Sequence, residues 1–188
     1  MASTRILSSI LAVLAFLALG ASAQAPLTPA EKRIIAEFER RAQGYHSVRE
    51  RLERRLPKLS EDSTPLQIEA HKNAFQKSVQ TARRGARRGE LFTLPASALI
   101  RRLIKGEFKG WERSELRKSV LEADNKRVAL KVNVPYPESQ ELVEMPPQLL
   151  LALPQLPRSL RFRFVGRDLV ILDRENALII DFMRNALP

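Results

Sequence analysis

The 188-residue sequence predicts an α+β fold: an N-terminal helical hairpin and further short helices, then a small antiparallel sheet. Three observations carry that expectation. From Thr28 to about Lys109 apolar residues return at three- and four-residue steps, the period of an amphipathic helix. From Lys126 the period shortens to two. The last thirty residues then break into three apolar runs, separated by Gly166-Arg167-Asp168 and by Asp173 to Asn176, which is the pattern of a β-meander.

Residues 1–23 read as a cleaved secretory signal. Arg5 supplies a positive start, Ile6 to Leu19 is too short to span a bilayer comfortably, and Ala21-Ser-Ala23 offers small residues for cleavage. An uncleaved anchor is the competing reading. With no second long apolar stretch, the expected location is periplasmic or extracellular, without a transmembrane segment after cleavage. The remainder divides into a basic helical region, 24–125, and a β region, 126–188, expected to combine into one domain.

Thr28-Pro29-Ala30-Glu31 has the capping-box form, with a hydroxyl at the cap, proline at the first helical position and glutamate at the third. Ile34, Ile35, Phe38, Ala42, Tyr45, Val48, Leu52 and Leu56 follow as one stripe before Pro57, and Gly44 weakens the helix midway. The opposite face mixes Glu37, Arg40, Glu50 and Arg54, a pattern that suits either a solvated face or a docking surface. Thr64-Pro65 starts a second helix that runs to Ala82, and the short connection makes the two helices antiparallel neighbours. Glycines in Ala82-Arg-Arg-Gly-Ala-Arg-Arg-Gly89 stop it.

Leu91 to Leu94 reads as a brief extended segment, Pro95 to Lys109 as a third helix, and Ser114 to Asp124 as a shorter one. Val128, Leu130, Val132 and Val134 alternate with Ala129, Lys131 and Asn133, predicting a fourth strand beside the meander that Pro135-Tyr136-Pro137 ends. Paired prolines at 146 and 147 open a short helix filled by Leu149, Leu150, Leu151 and Leu153, expected to lie across one sheet face. In the meander itself, Leu160, Phe162 and Phe164 alternate with Arg161 and Arg163, as on a half-buried outer strand. The unbroken Leu169-Val-Ile-Leu172 run reads as a middle strand covered on both faces.

Composition excludes several chemistries. There is no cysteine, so disulfides, thiol catalysis, thiolate metal sites and lipoprotein attachment are all absent. No nucleophile elbow, phosphate-cradling glycine loop or zinc motif occurs, and no catalytic residue or cofactor is assigned. His46 and His71, on the two neighbouring helices, could bind a metal with Glu50 or Glu69, but histidines exposed on helices are commoner and no metal site is assigned. Asp168, Asp173 and Asp181 could supply a carboxylate pair to a hydrolase; at strand ends, aspartate more often caps turns.

The formal net charge is +11, and residues 128–188 hold seven basic and seven acidic side chains, so the excess lies in the helical half. Its sharpest concentration is Arg83, Arg84, Arg87 and Arg88, followed by Arg101, Arg102 and Lys105. Such guanidiniums could grip phosphate groups bidentately. Only Phe92 and Trp111 stand nearby and no reading module is visible, which argues against specific nucleic-acid recognition.

Phe38 to Leu59, the Glu90-Leu-Phe-Thr segment, Val132 to Ser139, Pro146 to Pro157 and Phe164 to Asp173 together resemble a family of secreted bacterial hypothetical proteins. The resemblance covers nearly all of the chain after the signal and implies a common architecture, without an activity. Leu156-Pro157, Phe162, Val165-Gly166, Asp168, Leu172 and Ile179-Ile180 are similar to the last hairpin of RcnB-type periplasmic nickel/cobalt-homeostasis proteins, though no histidine-rich stretch accompanies them.

The leading expectation is therefore an exported, non-catalytic binding or envelope-associated module whose basic surface faces an anionic partner, such as lipopolysaccharide or phospholipid. The alternatives are a hydrolase or metal-dependent enzyme using Asp168 and Asp173, or a chaperone-like module that meets a protein partner through its first helix.

Overall fold

A computed structural model describes residues 26–107, 128–140, 142 and 144–188. The signal segment and the helix expected at Ser114 to Asp124 lie outside them. Four helices are described: α1 (Pro29–Glu53), α2 (Pro65–Ala82), α3 (Leu94–Glu107) and α4 (Pro147–Ala152). Three strands follow, β1 (Leu160–Val165), β2 (Asp168–Asp173) and β3 (Ile179–Met183), in an antiparallel sheet of order β1-β2-β3. The class is α+β.

Both long helices begin as their sequences dictate. Thr28 accepts the Glu31 N–H at 3.2 Å and its own N–H donates back to the Glu31 carboxylate at 2.9 Å. Thr64 and Gln67 repeat the arrangement at the head of α2. Each pair satisfies two amide groups that a helix start would otherwise leave without partners.

Gly166 has φ +55° in the two-residue turn between β1 and β2, where Val165 pairs with Asp168. A glycine at the first turn position matches the twist of the strands it joins. A register shift between Ile171 and Leu172 marks the β2–β3 pairing.

Burial explains the strand compositions. On one sheet face Phe162, Phe164, Leu169, Ile171 and Ile180 meet Phe38, Ala42 and Tyr45 of α1, Phe75 and Val79 of α2 and Ile100 and Ile104 of α3. On the other, Val165, Val170, Leu172, Ile179 and Phe182 meet Leu130 and Tyr136. β2 is covered from both sides and buried throughout, whereas Arg161 and Arg163 of outer β1 remain partly exposed. The helical region thus docks directly on the sheet. Phe38 is the hinge pin of that docking, its ring 5.7 Å from Phe92 and 6.3 Å from Phe162.

Three local expectations need correction. Residues 128–134 keep the alternating burial at Val128, Leu130 and Val132 but form no strand. Asn133 takes φ +66°, and only Pro135 forms a bridge, to Leu178. The alternation encodes which side chains point inward, and backbone pairing with β3 begins past the turn at 132–133, where Asn133 donates to the Ile179 carbonyl at 2.8 Å and Val134 accepts from the Ile179 N–H at 3.0 Å. Leu91 to Thr93 is a bend rather than an extended run, and α3 begins at Leu94. Finally, α4 packs chiefly against α3 and buries Leu149 alone, leaving Leu151 83 % exposed. A helix of six residues has room for one inward side chain per turn.

Candidate functional site

The arginine turn is built from the end of α2. Ala86 donates to the Arg83 carbonyl at 2.8 Å, and Gly89 reaches φ +93°, which lets the chain reverse toward α3. An internal carboxylate anchors the far side of this turn. Asp181 of β3 has no exposure and accepts the backbone N–H groups of Gly89, Leu91 and Phe92 at 2.9, 2.8 and 2.9 Å. Three amides converging on one carboxylate stabilise its charge and fix residues 89–92 against the sheet.

The four arginines of the turn are not equivalent. Arg83 folds inward, with its side chain 11 % exposed, and donates to the Ile180 carbonyl at 2.9 Å and the Glu90 carboxylate at 3.4 Å. Its guanidinium lies 5.2 Å from the centre of the Tyr45 ring. Arg83 is therefore a structural strut between α2, α1 and β3, its guanidinium engaged inside the fold. Arg84, Arg87 and Arg88 remain exposed.

Arg88 meets a residue that sequence reasoning overlooked. Its guanidinium lies 5.5 Å from the Phe182 ring, and that of Arg184 lies 5.0 Å from the same ring. Arg101 donates to the carbonyls of Arg184 and Asn185 at 3.0 and 3.3 Å, tying α3 to the same corner. Arg184 also pairs with Asp168 at 2.8 Å and keeps half its side chain in solvent. The outcome is a basic rim in which Arg88, Arg101 and Arg184 meet where β3 ends, and Arg84 and Arg87 are exposed on the same turn as Arg88. Arg102 instead pairs with Glu31 of α1, whose carboxyl is held below the usual range first by its hydrogen bond from Thr28. Lys105 is exposed one helical turn beyond Arg101.

The meander carboxylates do not converge. Asp168 and Asp173 occupy opposite ends of β2, five residues and about 17 Å of extended chain apart. Asp168 accepts the Asn185 N–H at 2.9 Å besides its arginine. Asp173, fully buried, accepts from the Tyr45 hydroxyl at 2.7 Å, Arg49 Nε at 3.1 Å and the Glu175 N–H at 2.9 Å. Burial, then the Asp173 charge, push the Tyr45 phenol far upward, so it stays a donor. Arg49 also pairs with Glu53 and Glu175, and covers the Phe75 ring at 4.8 Å. These groups clamp α1 and α2 to the sheet, so the expected pairing of Asp168 with Asp173 is not formed.

His46 shares a hydrogen bond with Ser159 at 2.9 Å and approaches Glu50 at 3.4 Å. Among the described residues no group of three or more histidine, aspartate or glutamate side chains is placed to hold a metal. None of the described helices is long and apolar enough to cross a membrane. No family model, curated protein or solved structure matches this chain.

Proposed function

We propose that the protein is an exported, non-catalytic module that binds phosphate-bearing components of a cell envelope through its basic rim. The observation that carries this reading is the convergence of Arg88 and Arg184 on Phe182, beside exposed Arg84 and Arg87. Guanidiniums held over an aromatic face are positioned in advance, so less side-chain freedom is lost when a phosphate is gripped. Export rests on the signal-like residues 1–23. The non-catalytic character is supported by the way Asp168, Asp173 and Asp181 are each spent on structural donors.

Binding to vesicles of anionic phospholipid and of neutral phosphatidylcholine, compared at low and high salt, tests this function. The expected result is retention on anionic vesicles only, lost at high salt as screening shortens to about 3 Å at 1 M. Equal binding to neutral vesicles, or binding indifferent to salt, would overturn it. Lipopolysaccharide micelles as a second probe separate phospholipid from lipid A phosphate as the source.

A further inference from the structure

A groove runs along α1 that the basic rim does not use. Three cavities of about 360, 290 and 510 Å³ follow one another down the helix. The first two share Arg41 and Leu91, and the second and third share Ala82. On α1 and the turn after it, Glu37, Arg41, Gly44, Val48, Leu52 and Arg55 line the groove at steps of four, three, four, four and three residues. That spacing puts them on one continuous face of the helix.

Gly44 sits at the middle of this stripe. A Cβ added there would meet nothing within 4 Å, so no contact inside the molecule calls for glycine. In a helix interior glycine costs about 1 kcal/mol relative to alanine. The missing side chain leaves room for another backbone to approach α1 at this point.

The charge on the groove selects its occupant. Its two carboxylates are already engaged, Glu37 by Arg40 and Arg41 and Glu90 by Arg83. Arg33, Arg55 and Lys77 are exposed on its rim and make no ion pair among the described residues. A second copy of this chain, itself at +11, offers a poor complement to a positive groove. We infer that the α1 groove docks an acidic amphipathic helix of a protein partner. The apolar face of that helix packs over half-buried Val48 and Leu52, and its acidic residues meet Arg33, Arg55 and Lys77. From Arg33 to Glu53, α1 rises about 30 Å, enough for a helix of about twenty residues.

The test is fluorescence anisotropy of a labelled 18-residue peptide with leucines along one helical face and glutamates elsewhere, titrated with the full chain. Arg33→Glu/Arg55→Glu/Lys77→Glu should weaken binding at least tenfold, and Gly44→Leu, whose Cβ meets nothing within 4 Å, should do the same. The charge-matched control Arg84→Glu/Arg87→Glu/Arg88→Glu should change it less than threefold. A scrambled peptide of equal composition should bind at least tenfold more weakly. Equal losses in the two triple variants would reduce the effect to general charge attraction and overturn the proposal. So would unchanged binding by Gly44→Leu with its helix content intact, no binding by the wild-type chain, or self-association through this face by light scattering.

Discussion

Arg83 and Arg84 stand side by side in the sequence and do opposite work. The Arg83 guanidinium satisfies the Ile180 carbonyl inside the fold, whereas Arg84 is exposed. A hydrogen bond to a charged group contributes about 1.5–3 kcal/mol, so Arg83→Ala should lower unfolding free energy by about 2 kcal/mol. Arg84→Ala should leave it within about 0.5 kcal/mol, as surface substitutions do. Urea denaturation of the two variants distinguishes them, and equal stability would contradict the strut. Asp173→Ala should cost more, about 3 kcal/mol, because it strands Arg49 and the Tyr45 hydroxyl together. Glu37 offers a pH test. Hydrogen bonds from Arg40, then Arg41, lower its carboxyl from 4.5 to about 2. A depressed folded value means that its contribution is complete above pH 4.5 and fades as pH falls toward 2. NMR titration should place Glu37 near 2 and, in Arg40→Ala/Arg41→Ala, return it toward 4.5.

At the scale of elements, two glycines give opposite expectations. Gly44 lies in the interior of α1 with open space around it, so Gly44→Ala should raise stability by about 1 kcal/mol. Gly166 holds φ +55° in the β1–β2 turn, so Gly166→Ala should lower it by about 1 kcal/mol. Thermal melts of the pair check both signs. These elements also show what the sequence makes legible. Thr28-Pro29-Ala30-Glu31 and Thr64-Pro65 announce the starts of α1 and α2 because capping is local, and the Leu169–Leu172 run announces a doubly covered strand. Residues 128–134 mislead because alternation reports burial, which they keep, while the backbone bonds to β3 begin only at Asn133, past a turn at 132–133 in which Asn133 takes φ +66°. The inward turn of Arg83 is not legible for a related reason: its partners Tyr45 and Ile180 lie far away in sequence, so no local pattern separates it from its neighbours. No local pattern marks Arg184, because only the fold brings it to Phe182 beside Arg88.

Across the whole molecule, the buried acidic groups explain how a chain this basic stays compact. Asp173 joins α1 to β2, Asp181 joins the arginine turn to β3, and Asp168 joins the first turn of the sheet to the Arg184 corner. Each takes up positive charge or amide donors within the core or at its edge, while Arg84, Arg87 and Arg88 are left outward. Within the basic rim, Arg84, Arg87 and Arg88 make no ion pair among the described residues and leave their charge to solvent. Near an anionic lipid surface each such cation is worth about 1 kcal/mol. The most direct test is the partition of Arg84→Ala/Arg87→Ala/Arg88→Ala onto anionic vesicles at low salt, set beside the wild-type chain. A fall of about a hundredfold is expected, following from about 3 kcal/mol in total, with the melting temperature little changed. Undiminished partition by a folded variant would contradict the account.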